Sequence, residues 1–168
     1  MAVLSILQYP HPILKSHSKQ VQTINARITR IIQDLLDTLH ASPGVALAAP
    51  QIGEPYRIIV CDVSRKIKES QHTSRHGRII LINPIIQRRE GMRIFREGCL
   101  SVPDYTGNVG RAEKVWIEGL DSQGHGVNLI AEGFEALALQ HELDHLEGIL
   151  FLDRIASLST DLFRRKVY

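Results

Sequence analysis

The stretch whose residue types and spacing can do chemistry is Gln140-His141-Glu142-Leu143-Asp144-His145, near the end of an apolar run that begins at Phe134. On a helix, His141 and His145 fall on one face, where two imidazoles can grip one metal ion, and Glu142 sits one step around. That is the layout of a metal-dependent hydrolase: ligands hold the ion, and the adjacent carboxylate takes a proton from water and passes it on. A lone buried histidine is more often a satisfied core residue. Two imidazoles and a carboxylate in an otherwise apolar helix are costly to bury without a partner, and a metal ion is the common compensation.

A third ligand has to come from elsewhere. The zinc-peptidase pattern H-E-x-x-H-x-x-G-x-x-H is met as far as Gly148, but its last histidine falls on Phe151. No glutamate follows, since the acids beyond Gly148 are Asp153 and Asp161. Upstream, Cys99 offers a soft anionic sulfur within Glu97-Gly98-Cys99-Leu100-Ser101, on an expected strand edge. The segment Gly44 to Gly53 is built of small residues, with Gln51 its polar member. Such residues suit either close approach of a ligand to the backbone or a tightly packed core loop.

These residues need a scaffold. Ile28, Ile31, Ile32, Leu35, Leu36 and Leu39 recur at the helical interval, with Thr23 or Asn25 as N-cap and a stop before Ser42-Pro43-Gly44. Tyr56 to Val63 reads as a buried strand in which Cys61 is a small core hydrophobe. Ser64 to Gly77 is polar and aperiodic, an exposed loop with solvated His72 and His76. Arg78 to Asn83 is another strand, stopped by Pro84, and short strands flank the turn at Glu90-Gly91. Lys114 to Asp121 and Gly126 to Glu132 read as a hairpin. Gly133 opens a helix from Phe134 to Glu147 that is apolar nearly all round, hence buried, and Gly148 caps its end. Ser159 to Tyr168 is expected to form a short final helix, with Arg164, Arg165 and Lys166 at the negative end of its dipole. The fold class is therefore α+β, with short antiparallel strands around a buried metal-binding helix, an N-terminal amphipathic helix and a short C-terminal helix. One domain spans residues 1–168.

Composition narrows the setting. With 43% hydrophobic and 23% charged residues the chain reads as an ordinary globular protein, and a formal charge of +2 is too small to indicate a nucleic-acid footprint. Cys61 and Cys99 are too few for a disulfide framework, which favours a reducing, cytoplasmic location. No signal or transit peptide is visible, and no apolar run approaches the roughly 20 residues of a membrane span. Neither a membrane nor a specific nucleic acid is expected as a partner.

Three segments, GVALAAPQ from Gly44 to Gln51, EGCLS from Glu97 to Ser101 and QHELDH from Gln140 to His145, together resemble the peptide deformylase family in their order and separation. The N-terminal helix, the turn at Asn83-Pro84 and Arg111 extend the resemblance over nearly the whole chain. It implies that Cys99, His141 and His145 bind one Fe2+ ion, with water as fourth ligand, and that Zn2+ or another divalent metal can substitute, zinc usually serving less well. It implies Glu142 as catalytic acid and base, and the Gln51 side-chain amide and Leu100 backbone N–H as donors to the developing oxyanion. It further implies a substrate site to which Gly44, Val45, Ala46, Glu97, Gly98 and Arg111 contribute. The implied substrates are N-formylmethionyl peptides, met near the nascent-chain exit of the ribosome, and the products are formate and a free amine.

Glu97 and Arg111 read either as a charge pair holding the cysteine segment or as two solvated surface charges. Ala46 departs from the family pattern, which usually has glycine there, and its methyl group faces either the substrate groove or the core. Two rival readings remain at this level. A zinc peptidase acting on internal bonds is disfavoured by Phe151. A non-catalytic structural metal site needs four protein ligands and leaves Glu142 and Gln51 unemployed.

Overall fold

A computed structural model describes residues 2–66 and 76–165. The first helix, α1 (Ala26–Ala41), begins at Asn25, whose side chain accepts from the backbone N–H groups of Arg27 and Ile28. It buries Ile28, Ile31, Ile32, Leu35 and Leu39 on one face. The small-residue segment becomes a three-residue strand, β1 (Ala46–Ala48), followed by a 3-10 turn, Ala49–Ile52, that carries Gln51.

β1 lies at the edge of a five-stranded antiparallel sheet with β2 (Ile58–Cys61), β3 (Ile79–Glu90), β6 (Lys114–Leu120) and β7 (Gly126–Glu132), in the order β1-β2-β3-β6-β7. A smaller sheet is built from β4 (Arg93–Cys99), β5 (Val102–Arg111) and β8 (Leu162–Arg164), in the order β4-β5-β8. The second long helix, α2 (Gly133–Leu146), packs on one face of the larger sheet and α1 on the other. β1, β2 and the first residues of β3 are therefore apolar on both sides, whereas β7 keeps one face exposed. Ala46, Ala48, Ile59 and Cys61 join the α2 side, whereas Leu47, Ile58 and Val60 join the α1 side. Cys61 is fully buried, and burial, reinforced by the Glu142 and Glu135 carboxylates, pushes its thiol well up.

Three expectations need correction. Pro84 does not stop its strand: β3 runs from Ile79 to Glu90, and the pairing with β6 slips between Ile82 and Ile85 and again between Ile86 and Arg88. Asn83 takes up the bend at φ 52°, a conformation asparagine tolerates, and its side chain bonds both the N–H and the carbonyl of Val21 at 2.9 Å. Strands do flank Glu90-Gly91, but the first is not short: it is the end of the 12-residue β3 of the larger sheet, while β4 belongs to the smaller.

The third correction concerns the C-terminus. A helix, α3, covers only Leu158–Asp161, and the chain then pairs as β8 with Tyr105 to Gly107. Backbone pairing with β5, continued by Arg165 N–H donating to Asp104 O at 2.7 Å, wins over helical propensity, so Arg164 and Arg165 complement no helix dipole. Lys166 lies outside the described residues, as does His72. No helix among the described residues is long and apolar enough to cross a membrane.

Gly148 ends α2 at φ 69°, and a Cβ there would stand 2.6 Å from the Lys15 carbonyl carbon. Gly148→Ala is expected to cost more than about 2 kcal/mol, through left-handed strain plus this backbone collision. A fall in melting temperature with unchanged metal stoichiometry is the check.

Candidate metal centre and active site

α2 is buried on nearly every side and serves as both core element and site wall. Gln140 fastens it to the larger sheet's border: its amide oxygen accepts from Ala112 N–H at 3.1 Å and its amide nitrogen donates to Ala112 O at 2.9 Å. His141, the next residue, and His145, one turn further on, face the end of β4. There the β4–β5 register slips between Gly98 and Cys99, and Leu100-Ser101 form a tight turn. Such a slip re-aims the side chain beside it, and here that side chain is Cys99.

The ligand atoms of Cys99, His141 and His145 all lie within 4.8 Å of one another. Cys99 Sγ is 3.2 Å from His145 Nε2. His141 Nδ1 sits 2.8 Å from Glu97 Oε2, leaving Nε2 for the site. A carboxylate behind a ligating imidazole fixes the ring's orientation and tautomer. Burial, with repulsion from His141 and Arg111, holds His145 well below its usual pKa, in the neutral form a metal requires. Burial opposes a proton on His141 too, but Cys99 and Glu97 more than offset it, so an ion there competes with a proton.

Glu97 is itself held by charge. It is only 4% exposed, and Arg111 grips it through Nε at 2.6 Å and Nη2 at 3.0 Å. Burial pushes its carboxyl up, yet the His141 and Arg111 hydrogen bonds overcome this and bring it down to about 2. Arg111 continues to Asp144 Oδ2 at 2.6 Å, and Asp144 takes both Nε and Nη2 of Arg154, at 2.7 and 2.6 Å. Of the two readings of Glu97 and Arg111, the buried pair holds. The roles of Asp144 and Arg154 were not read from the sequence, although Asp144 lies inside the histidine motif.

Glu142 is 3% exposed, and its buried Oε2 has no hydrogen-bond partner among the described residues. Burial, aided by the Glu97 and Asp144 charges and opposed by His141 and Arg111, raises its pKa to about 7. A cation held by the neighbouring ligands lowers it from there. Gln51 is also buried: its Oε1 accepts from Ala48 N–H at 2.9 Å, while its Nε2 donates to Ser101 Oγ at 3.1 Å and lies 3.8 Å from Cys99 Sγ. The orientation of the amide is thus set from both ends, and Ser101 is a contributor the sequence reading passed over.

These groups meet in a cleft of about 320 Å³ between β1, β4 and α2, lined among others by Gly44, Val45, Ala46, Gln51, Glu97, Gly98, Cys99, Leu100, His141 and Glu142. Arg111 does not line it. Ala46 is 8% exposed and belongs at once to the core under α2 and to the cleft wall. His76 is exposed as expected, although its Nδ1 also lies 2.7 Å from the fully buried Glu135 carboxylate at the start of α2. A larger cleft, about 780 Å³, opens elsewhere along α2 among Arg57, Arg89, Asp144 and Arg154, but holds none of the three ligand residues.

Residues 3–161 match the family described as Polypeptide deformylase. The chain belongs to that family. It is 42% identical over 166 residues to the peptide deformylase of Syntrophobacter fumaroxidans, covering 99% of this chain and 94% of the other. The crystal structure of a deformylase from Legionella pneumophila superposes with a TM-score of 0.84 at 39% identity, covering 94% of this chain and 88% of that one. The Ehrlichia chaffeensis deformylase in complex with actinonin gives 0.86 at 34%, covering 95% and 92%. Family membership implies a divalent metal, and the thiolate and two imidazoles form a donor set that fits one.

Removing the central cation tests the ion chain. Arg111→Leu leaves Glu97 and Asp144 buried with lost partners, and is expected to cost about 3–5 kcal/mol of stability. Chemical denaturation midpoints report it, and a loss under about 1 kcal/mol would contradict the network's importance.

Proposed function

We propose that this deformylase removes the formyl group from the N-terminal formylmethionine of newly made proteins. The observation carrying this reading is the convergence of the Cys99, His141 and His145 ligand atoms beside Glu142, whose Oε2 has no hydrogen-bond partner among the described residues, and the oriented amide of Gln51. Cys99, His141 and His145 are the residues that hold the ion, which we take to be Fe2+, with Zn2+ a weaker substitute. When bound, the ion supplies Lewis acidity that makes water a nucleophile at neutral pH.

The chain's own residues do the rest. An extended peptide adds along the free edge of β1 at Gly44 to Ala46, as a strand would, and presents its formyl group to the inner end of the cleft. Glu142 takes a proton from the attacking water and delivers it to the nitrogen as the C–N bond breaks, leaving formate and a free amine. A carboxylate whose pKa lies near 7 before the cation acts is suited to both transfers. The Gln51 amide and the Leu100 N–H donate to the carbonyl oxygen as its charge builds. Three ligand residues rather than four converge among the described residues, which leaves the closed structural site without support, and Phe151 in place of a third histidine leaves the peptidase reading without it. Nascent chains place the reaction in the cytoplasm, near the ribosomal exit.

Formate release from formyl-Met-Ala-Ser, with no cleavage of the N-acetyl analogue or of internal bonds, tests the assignment. Glu142→Gln is expected to keep full metal content and lose most turnover, whereas Cys99→Ala loses metal; the opposite pattern by metal analysis would exchange their roles. Gln51→Ala removes one oxyanion donor and should lower kcat by roughly a hundredfold to a thousandfold, with KM nearly unchanged. Normal kcat with raised KM would leave Gln51 a substrate holder only.

A further inference from the structure

The cleft changes character from its floor to its mouth. The acids that line it are Glu97 and Glu142, the first spent on Arg111 and His141 and the second buried. Three cations, Lys66, Arg96 and Arg165, line it as well, and all three are exposed. Among the described residues none of the three is in an ion pair. The protein as a whole carries a formal charge of only +2, so this is local enrichment rather than general basicity.

The fold builds the rim. Along β4 the side chains alternate, Glu97 and Cys99 buried, Arg96 and Gly98 exposed. β8 completes it from the other end of the chain: the Arg96 guanidinium lies 3.3 Å from the centre of the Phe163 ring, and the Arg165 guanidinium rests against Gly98. A Cβ at position 98 would meet that guanidinium, and the flexible arginine would have to shift to admit it. The stacking on Phe163 fixes Arg96 without neutralising it. A cleft with low-dielectric walls and one sign of charge at its mouth focuses its field on whatever enters.

Resting on the deformylase reading, we propose that this rim selects substrate sequence: formyl-peptides with an acidic side chain at the second or third residue bind in preference to neutral ones, and basic ones bind worst. The formylmethionine occupies the inner end, so the residues after it are the ones that pass Lys66, Arg96 and Arg165. Selection acts on binding, since these cations lie outside the reacting groups.

The test uses the metal-loaded protein and C-terminally amidated peptides, formyl-Met-Xaa-Ala and formyl-Met-Ala-Xaa with Xaa as Glu, Gln or Lys. At low ionic strength kcat/KM for Glu should exceed that for Gln by at least about threefold at one of the two positions, with Lys below Gln and the difference in KM. It should collapse in about 0.5 M salt, where charges are screened within about 5 Å. Arg96→Gln with Arg165→Gln should bring the Glu-to-Gln ratio toward one. Equal values for the three residues, with the Gln peptides turned over normally, would overturn the preference and leave the deformylase reading standing. A preference surviving in the double variant, or seen only when the C-terminus is a free acid, also overturns it. No turnover of any peptide would sink both readings together.

Discussion

Everything at the site hangs on one buried carboxylate. Glu97 is gripped by Arg111 on one side and bonds His141 on the other, so β4, β5 and α2 are joined through a single side chain. A charge so buried is tolerated only while its partners stay in place, which makes every small displacement of the strands against the helix costly. Asp144 and Arg154 extend the chain of charges from the helix to the Phe151–Arg154 turn, where it reaches solvent. The network adds positional precision more than net stability, because desolvation consumes most of its Coulombic gain.

That precision is needed because the two halves of the site come from different sheets. Gln51 follows β1 of the larger sheet, and Cys99 ends β4 of the smaller one. The N-terminal segment spans them: Leu7 N–H donates to Gln51 O at 2.8 Å and Tyr9 N–H to Ser101 O at 2.9 Å. Ser101 then meets Gln51 side chain to side chain and offers its N–H to Cys99 Sγ at 3.4 Å. The cleft is the gap between two sheet edges, β1 of the larger sheet and β4 of the smaller.

Much was legible in the residues themselves. The helical interval of α1, its cap at Thr23 or Asn25, the hairpin of β6 and β7, the buried α2 and its stop at Gly148 follow from local stereochemistry and periodicity, which act over a few residues, and the fold chose Asn25. His141, Glu142 and His145 stood out as candidates because metal chemistry demands particular atoms and few residues in a short apolar helix can supply them, and the fold brings Cys99 to the same place. Pro84 misled because a proline rule describes one strand in isolation, whereas a bulge and the Asn83 bridge to Val21 let β3 continue.

What only the tertiary structure decided involves groups far apart in the chain. Pairing with β5 turned the C-terminal segment into β8 and carried Arg165 to Gly98. The fate of Glu97 and Arg111, paired or solvated, depended on burial that no spacing announces. The sequence determined the chemistry available, because that resides in atoms. The orientation of Gln51, the pKa of Glu142 and the charge of the cleft mouth were left to the fold, because hydrogen bonds, desolvation and fields depend on distances between residues that only packing brings together.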